Sequence, residues 1–443
     1  MLNRFVDAFK SKEVRGRIFF TLSILLIYIL GLLISVPGVT ANVGQALADN
    51  DLLGIMNMLS GGALDSFSIF ALGVSPYITA SIIVQLLQMG VLPKLQELAE
   101  QGEAGRRKIN DITRYLGLLL GAVQAYGMII TLDNQGTFDF SAIFPNLEAG
   151  KWLAYVYVIA IMLAGTMFVM WLADQITQKG IGNGVSMIIF AGIVKEIPSS
   201  YTQVWEILVA AKTSGAEKFN GILLFSAYVL YTAFIILFVI FFELSVRKIP
   251  IQQSRSSFTQ QIRMNYLPIK VNPGGVIPVI FAQAVLTAPV TILGFINPSS
   301  DSYDKVKNLF TISHLENGWP IALMIYIALI ILFSFMYAHI QIDCEKIAEN
   351  LQMQGSYIPG IRQGTETKTY LSRVLNRVTF TGSIALAFVA SMPYVLPMIF
   401  PTLATTSFGG TGLIIVVGVA LETCSQMDGY VAERNYRTFN FDI

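Results

Sequence analysis

Charged residues are scarce in this sequence, and that scarcity excludes most soluble folds. Asp, Glu, Lys and Arg make up 13% of the 443 residues, while 54% are hydrophobic. An ordinary soluble domain carries about 25% charged residues. A soluble chain of this length could not cover its surface with so little charge. Lipid must therefore cover it, and the composition predicts an integral membrane protein.

Residues that carry out catalysis or bind metal ions are also few. Cys344 and Cys424 are the only cysteines and lie far apart, so we interpret them as free thiols rather than a disulfide or a metal site. His314 and His339 do not form an H-E-x-x-H pattern, and no G-x-x-x-x-G-K-[ST] loop for nucleotide phosphates occurs. Gly180–Gly184 resembles such a loop only superficially, because it lacks the lysine. The sequence predicts neither an enzyme nor a protein with a cofactor or metal ion.

Ten long uncharged runs divide the chain into candidate transmembrane helices, since about 20 apolar residues cross a bilayer. The first run is too long for the hydrophobic region of a signal peptide and lacks an A-x-A cleavage site, so we expect no cleavable signal. The sequence thus predicts an all-α polytopic membrane protein. The runs are Ile18–Val36, Ser66–Leu92, Tyr115–Leu132, Trp152–Ala173, Ile181–Val194, Phe219–Phe242, Val271–Ser300, Trp319–Ile342, Val378–Phe400 and Gly409–Leu421.

Lys and Arg are distributed asymmetrically among the connectors. With the N-terminus in the cytosol, 23 of the 29 basic residues fall on the cytosolic side and 6 on the outside. Because positive charge is retained inside, we expect both termini to be cytosolic. The expected organisation is a cytosolic amphipathic segment 1–17, a first half 18–197, an external hinge loop 198–218, a second half 219–427 with cytosolic loops 243–270 and 343–373, and a tail 428–443.

Five helices in each half make the second half enter the membrane from the opposite side, which predicts an inverted repeat. In such folds, Gly/Pro-interrupted segments at matching positions mark the working site. The second helix of the first half contains Gly61-Gly62, Gly73 and Pro76, and its counterpart opens with the run Asn272–Pro278. Ordinary kinking of membrane helices is the alternative explanation for both breaks.

The second run, Ser66–Leu92, exceeds one crossing of the membrane. Gly73 and Pro76 divide it, because proline removes a backbone donor and disfavours helix in the preceding residue. We expect a short helix over Leu64–Leu72, followed by Ser75–Leu92 as the membrane span. A short helix at membrane depth must be covered by protein or line a cavity. It could therefore plug a pore; a re-entrant elbow without a gating role is the alternative.

Asp, Glu, Lys and Arg are missing from all ten runs. Ion-coupled transporters usually place such residues near the bilayer midplane, so their absence counts against proton or substrate coupling. It favours a pore whose constriction is apolar and closes by poor wetting. A secondary transporter with inverted repeats stays the second hypothesis, and tight binding of a small solute at the midplane would favour it.

Long sequence blocks in the same order along almost the whole chain resemble the SecY family. These blocks are Ala71–Leu87, Glu103–Asn110 with Thr113–Tyr115, Trp171–Gly184, Gly275–Ala282, Ala348–Leu351, Ile358–Gly364 and Phe408–Val417. The resemblance implies ten helices in a pseudo-twofold clamshell that lies in the bacterial plasma membrane. It also implies passage of unfolded polypeptide across the membrane or sideways into lipid.

The resemblance further implies a closed waist made of apolar side chains and a plug. By motif position the pore ring is Val74, Ile78, Val185, Ile189, Ile280 and Ile415. The plug corresponds to Gly61–Leu72, with Gly61, Gly62, Leu64, Phe67, Ile69, Phe70 and Leu72. Apolar residues could fit around a passing chain without offering it a binding site. Lipid-facing or core packing is the alternative role for each of them.

The family's lateral gate lies between the second and seventh helices, beside the third. Its polar positions correspond here to Thr79, Gln124 and Gln283. Buried polar side chains in lipid seek one another at about 1 kcal/mol or less per pair, so we expect them to form a weak latch. Routine hydrogen bonding between helices is the alternative.

The two long loops correspond to the family's docking surface for the ribosome or the SecA motor. The docking residues implied are Arg247, Lys248, Arg255, Arg362 and Lys368. SecE and SecG are the implied stable partners, and the other partners are polypeptides, signal sequences and lipid, with no direct recognition of nucleic acid. The loop tip Gln252–Phe258 is less basic than the family pattern, which leaves open a specialised second SecY.

Overall fold

Helices dominate the computed structural model, which describes residues 12–41, 57, 60–88, 92–134, 138–139, 151–210, 215–253, 265–296, 305–306, 309–310, 321–399 and 410–439. A π-helix covers Glu206–Ala210. The α-helices are α1 (Lys12–Gly31), α2 (Ser75–Gln88), α3 (Pro93–Glu100), α4 (Glu103–Asn134), α5 (Lys151–Lys179), α6 (Gly184–Trp205), α7 (Gly215–Glu243), α8 (Ile277–Ile296), α9 (Ile321–Gln341), α10 (Cys344–Met353), α11 (Thr365–Ile399) and α12 (Gly410–Phe439).

Each of the ten predicted spans overlaps one helix, and among the described residues the short helices α3 and α10 are additional. Over the described residues, seven helices are long and apolar enough to cross a membrane. The predicted spans α2, α6 and α8 fall short of that measure. The reason is plain for α2, which has 14 residues. Their assignment as spans therefore depends on their place in the fold rather than on hydropathy.

The stretch that precedes α2, residues 61–74 (hereafter the turn segment), forms successive turns. The short helix that the sequence predicted over Leu64–Leu72 is therefore wrong, although the nearest described residues before it, Asn57 and Ser60, are helical. A positive φ places a residue outside the right-handed helical region, so the backbone cannot continue a helix there. The residues with positive φ are Gly61 (70°), Gly62 (73°), Gly73 (53°) and Phe67 (43°).

The conformation predicted for the external hinge loop 198–218 is also wrong. α6 continues through Pro198 to Trp205, the π-helix extends to Ala210, and α7 begins at Gly215. The predicted end at Val194 followed from the charges of the next two residues. A helix does not have to end where its apolar stretch ends, because backbone hydrogen bonds continue while charged side chains reach solvent.

Two apolar cores lie in the two halves of the bundle. One is formed by α7, α8, α9, α11 and α12, with Ile82 of α2, around fully buried Tyr326 and Ile330. The other joins α4 and α5 to the turn segment, around Ile129 and Met162. In lipid the hydrophobic effect does not drive helices together, so close van der Waals packing must stabilise their contacts. A Cβ added at Gly184 would lie 1.8 Å from the carbonyl oxygen of Ala173, which shows how close α6 approaches α5.

The loop face is the end of the bundle that carries residues 243–270 and 343–373. Here β3 (Val246–Gln253) pairs antiparallel with β4 (Asn265–Lys270) and, at its far end, with β5 (Ser356–Tyr357). One buried cluster joins the hairpin to β5 and α11, and it includes Ile249, Ile269, Ile358, Leu371 and Leu375. The two loops therefore form one folded unit. Elsewhere, β1 (Thr40–Ala41) pairs with β2 (Phe138–Asp139).

Candidate functional site

All six residues of the predicted ring lie in one apolar cluster, hereafter the central cluster. Val74, Ile189 and Ile415 are buried within it, at 1%, 3% and 4% exposure. The other three, Ile78, Val185 and Ile280, are partly buried and pack against it. Val74 directly precedes α2, and the remaining residues come from α2, α6, α8 and α12. The cluster therefore joins helices of both halves, although a role as a pore constriction stays a prediction.

The turn segment packs directly against the central cluster. Phe70 belongs to the cluster, and its ring stacks on Tyr28 of α1 and Phe168 of α5, with centroids 6.0 Å away in each case. Ile69 also packs against the cluster. The remaining apolar residues of the predicted plug, Leu64, Phe67 and Leu72, enter the neighbouring core between α4 and α5. The segment thus fills the space between two groups of helices.

Close backbone packing against α6 fixes the start of the turn segment. A Cβ added at Gly61 would lie 2.4 Å from the Cα of Gly192, so only glycines allow this approach. The Lys195 ammonium donates a hydrogen bond to the carbonyl oxygen of Gly61 at 3.3 Å. The hydroxyl of Tyr28 donates to the carbonyl of Ser60 at 3.0 Å. Short polar contacts therefore hold the segment at its entry.

Backbone hydrogen bonds tie the rest of the turn segment to the chain that leaves α1. The Val36 amide donates to the carbonyl of Phe67, and the Ile69 amide donates to the carbonyl of Ile34, both at 3.0 Å. These bonds resemble a short strand pairing, with Ser35 opposite Ser68. Both partners alternate apolar and polar residues over this short stretch, Ile34–Val36 and Ser66–Ile69, but the alternation is too brief to have predicted the pairing.

The predicted gate helices are neighbours, but their polar residues do not bond to one another. α2 contacts α8, and both contact α4. Thr79 donates to the carbonyl of Ser75 in its own helix. Gln283 accepts a hydrogen bond from the Tyr394 hydroxyl of α11 at 3.3 Å. The side-chain oxygen of Gln124 is buried and has no hydrogen-bond partner among the described residues. The expected latch among the three is absent here, and sequence reasoning missed Tyr394.

Two polar contacts that the sequence did not predict fix helix ends toward the loop face. Arg114 of α4 forms an ion pair with Asp174 of α5. The side-chain amide of Asn272 donates to Glu243 at the end of α7, at 3.2 Å, and to the carbonyl of Gly275 at 2.8 Å. The second contact shapes the entry to α8 and accounts for the Asn-Pro-Gly-Gly break. The sequence signal for the ion pair was that charged residues at the ends of transmembrane helices usually pair with other polar groups.

The predicted docking residues differ in their pairing at the loop face. Arg247 and Lys248 lie on β3, and Arg362 lies just before α11; all three are exposed and form no ion pair with a described residue. Lys368, by contrast, donates to Glu345 of α10 at 2.6 Å. Arg255 lies outside the described residues. The free basic groups are therefore Arg362 and the β3 pair, whereas Lys368 joins α11 to α10.

Asp343 is the N-cap residue of α10 at the loop face. Its side-chain oxygen accepts hydrogen bonds from the backbone amides of Glu345 at 3.1 Å and Lys346 at 3.2 Å. Burial by itself raises the pKa of Asp343. The hydrogen bonds from these two amides and the nearby Lys346 ammonium outweigh burial, so the pKa lies below its usual value.

Metal-binding groups are missing from the part of the chain that the structure describes. No group of three or more His, Cys, Asp or Glu side chains there could hold a metal ion. Cys344 and Cys424 are free thiols, as the sequence predicted. The central cluster itself is an apolar contact between helices of both halves.

Comparison with known proteins gives consistent matches. A sequence model of the SecY family matches residues 68–424. The protein translocase subunit SecY of Streptococcus gordonii is 41% identical over 435 residues, which cover 98% of this chain and 97% of that protein. The subunit of Staphylococcus carnosus is 40% identical and covers 99% of both chains.

Solved structures share the fold at low sequence identity. A protein-conducting channel aligns with a TM-score of 0.62 at 19% identity, covering 93% of this chain and 91% of that one. A SecY structure that concerns the plug domain and the closed state aligns at 0.61 with 20% identity and the same coverage. Sec61 from a canine ribosome–channel complex aligns at 0.58 with 17% identity, again covering 93% and 91%. These channels have ten helices in two halves, and the present fold is of that kind.

Proposed function

The chain belongs to the SecY family, and we propose that it forms the central subunit of a protein-conducting channel. It passes unfolded secretory polypeptides across the plasma membrane and releases transmembrane segments into lipid through a lateral gate. It is a channel subunit and not an enzyme, and energy for transport comes from a partner. The observation that carries this conclusion is the central cluster, where apolar residues of both halves meet beneath the turn segment.

The central cluster acts as the seal in the resting state. Val74, Ile78, Val185, Ile189, Ile280 and Ile415 form the constriction. Apolar side chains repel water, so a narrow ring of them blocks ions without a charged barrier. Dispersion contacts have no fixed direction and are individually weak. The ring can therefore separate around a polypeptide of any sequence and close again when the polypeptide has passed.

The turn segment acts as the plug that supports this seal. Its contacts are many but small: two aromatic stacks through Phe70, one lysine hydrogen bond to Gly61 and two backbone bonds to the chain after α1. Such contacts hold the segment in place yet break one at a time. A polypeptide that enters the pore displaces it without unfolding a helix, because the segment consists of turns.

The lateral gate lies where α2 and α8 meet beside α4. Few strong polar bonds cross this seam among the described residues, and Thr79, Gln124 and Gln283 are not joined to one another. A hydrophobic signal sequence can therefore open the seam by replacing the packing contacts between α2 and α8 with its own contacts. The unpartnered oxygen of Gln124 weakens the closed seam further, because a buried polar atom without a partner is unfavourable.

The loop face is cytosolic and docks the energy source. The asymmetry of Lys and Arg supports this topology, with both termini inside. Arg247, Lys248, Arg255 and Arg362 supply positive charge for a ribosome or for the SecA motor, and the SecE and SecG subunits complete the complex. Sec61 in the canine complex is a channel bound to a ribosome, which is consistent with a docking role.

Reconstitution tests the proposed function. The purified chain with SecE and SecG would be placed in proteoliposomes with SecA, ATP and a precursor that carries a signal sequence. We expect the precursor to become protected from added protease only when the chain is present. Uptake of a small solute without any protection of the precursor would instead support the transporter hypothesis and contradict the channel.

A further inference from the structure

A groove opens between α9 and α11 near the loop face, away from the central cluster. Its volume is about 640 Å³. The side chains that line it combine aromatic rings with polar and basic groups. They are Phe335, His339, Asn376, Arg377, Phe380 and Thr381. None of these residues takes part in the ring, the plug, the gate or the docking surface described above.

Arg377 supplies the positive charge of the groove and has no acidic partner. It is exposed and forms no ion pair with any residue that the structure describes. Arg114, which lies about as far into α4 as Arg377 lies into α11, is paired with Asp174. An arginine close to the membrane surface without a carboxylate is free to bind an anion with its planar set of donors.

The neighbouring polar groups suit a phosphate ester. Nδ1 of His339 lies 2.8 Å from the carbonyl oxygen of Phe335. Because a carbonyl only accepts, Nδ1 is the donor in this contact. The Asn376 amide offers further donors. Arg377 and Asn376 are therefore the groups that would bind phosphate oxygens.

An apolar stripe continues from the groove along α11. Phe380, Ile384 and Phe388 are spaced by four residues, so they lie on one face of the helix. Their exposed fractions are 54%, 48% and 49%. Leu332 of α9 is likewise 56% exposed, one helical turn before Phe335. The groove thus has a basic end at the loop face and an apolar path that leads into the membrane.

We propose that this groove binds one anionic phospholipid from the leaflet at the loop face. Arg377 and Asn376 contact the phosphate, the rings of Phe335 and Phe380 flank the glycerol region, and an acyl chain lies along the α11 stripe. The arrangement fits a lipid rather than free phosphate, because the apolar stripe continues directly from the basic end. Basic pockets between transmembrane helices are known to take such headgroups.

Photocrosslinking tests the site on the assembled complex. The complex would be placed in nanodiscs that contain photoactivatable phosphatidylglycerol, with photoactivatable phosphatidylcholine as the uncharged comparison, and labelled peptides would be identified by mass spectrometry. We expect phosphatidylglycerol to label peptides from α9 and α11 around the groove. Arg377→Gln should lower that labelling about fivefold, the effect expected of one basic residue near an anionic surface.

Matched variants separate the site from general surface charge. Arg107→Gln removes an exposed arginine at the start of α4 and should leave groove labelling unchanged, whereas Arg377→Lys keeps the charge and should retain most of it. Helix content and complex recovery would confirm that the Gln variant is folded. If Arg377→Gln is unstable, the two-lipid comparison on the unchanged complex still decides, because equal labelling by both lipids would overturn the proposal.

Three outcomes would overturn the proposal. Equal labelling by the two lipids would show that charge does not select the occupant. Loss of labelling on addition of excess inorganic phosphate would show a simple anion site. Crosslinks from the groove to another protein subunit in place of lipid would show a protein interface.

Discussion

The central cluster and the loop face hold their parts together by opposite means. The six residues of the predicted pore ring are all aliphatic, and the members of the central cluster meet through apolar contact and aromatic stacking. The loop face uses fixed polar geometry: Lys368 pairs with Glu345, Asp343 caps α10 and a β-hairpin joins the two loops. This difference in contacts indicates which of the two regions is expected to move. Directionless contacts allow opening, whereas directed bonds keep a docking surface in one shape.

The largest effect should come from overpacking beside the turn segment. In Gly192→Ala, the new methyl group would lie 2.8 Å from the Cα of Gly61, where backbone cannot yield. Overpacking of this kind costs about 1–3 kcal/mol, so the resting ion conductance of the reconstituted complex should rise about five- to a hundredfold. Gly429→Ala in α12 is the control, because no atom lies within 4 Å of its added Cβ. Unchanged conductance at equal protein level would show that the segment does not seal the pore.

The second prediction tests the loop face as a docking surface. Arg362→Glu should lower motor-driven export about tenfold, because a reversed charge at an interface meets like charge on the partner. Export would be measured with the complex recovered at normal levels. Lys368→Glu should act differently, by breaking the contact with Glu345, and the exchange Lys368→Glu with Glu345→Lys should restore it. Normal export by Arg362→Glu alongside loss in Lys368→Glu would mean that Arg362 is misassigned.

The third prediction concerns the gate seam between the two regions. Gln124→Leu removes a buried oxygen that has no partner among the described residues. Relief of that penalty should stabilise the closed gate by about 1 kcal/mol. Export of a precursor with a weakly hydrophobic signal should fall several-fold, while a strongly hydrophobic signal is unaffected. Gln96→Leu on exposed α3 is the control. Faster export of the weak signal would contradict the gate assignment.

The smallest effect should follow from removing the cap of α10. Asp343→Ala should weaken that helix by about 1 kcal/mol, measured as faster amide hydrogen exchange over Cys344–Met353. Because the pKa of Asp343 is lowered in the folded protein, its contribution is present above the unfolded-state pKa and is lost as pH falls through the lowered value. Asp343→Asn keeps the acceptor and should show a smaller change. Equal exchange rates in the unchanged protein, Asp343→Ala and Asp343→Asn would show that Asp343 does not stabilise α10.

Hydropathy and motif order predicted the membrane helices and the central cluster. Helices cross lipid as long apolar stretches, so composition locates them, and the six ring positions, such as Ile78 and Ile415, came from residue-by-residue motif matches. Composition did not predict the conformation of a segment whose backbone dihedral angles exclude a helix. The apolar Leu64–Leu72 reads as a helix, yet positive φ angles make it turns.

Contacts between distant residues were equally outside the reach of one sequence. The bond from Tyr394 to Gln283 and the ion pair of Arg114 with Asp174 join residues 111 and 60 positions apart. Nothing local in the sequence specifies such partners, because each is chosen by the packing of whole helices. The end of α6 was predicted wrongly for a related reason. Charged residues within a helix indicate that the helix is exposed there, but not that it ends there.

The central claim is that the apolar ring itself seals the resting channel. Replacing both Ile78 and Ile280 with asparagine should hydrate the constriction, because amide groups hold water where branched apolar side chains repel it. The control double variant, Ile330→Asn with Ile414→Asn, places asparagine in the second-half core instead. Ion current across bilayers that contain the purified complex is the measurement. The account predicts a raised resting current for the ring variant alone; an unchanged current at confirmed protein level would contradict it.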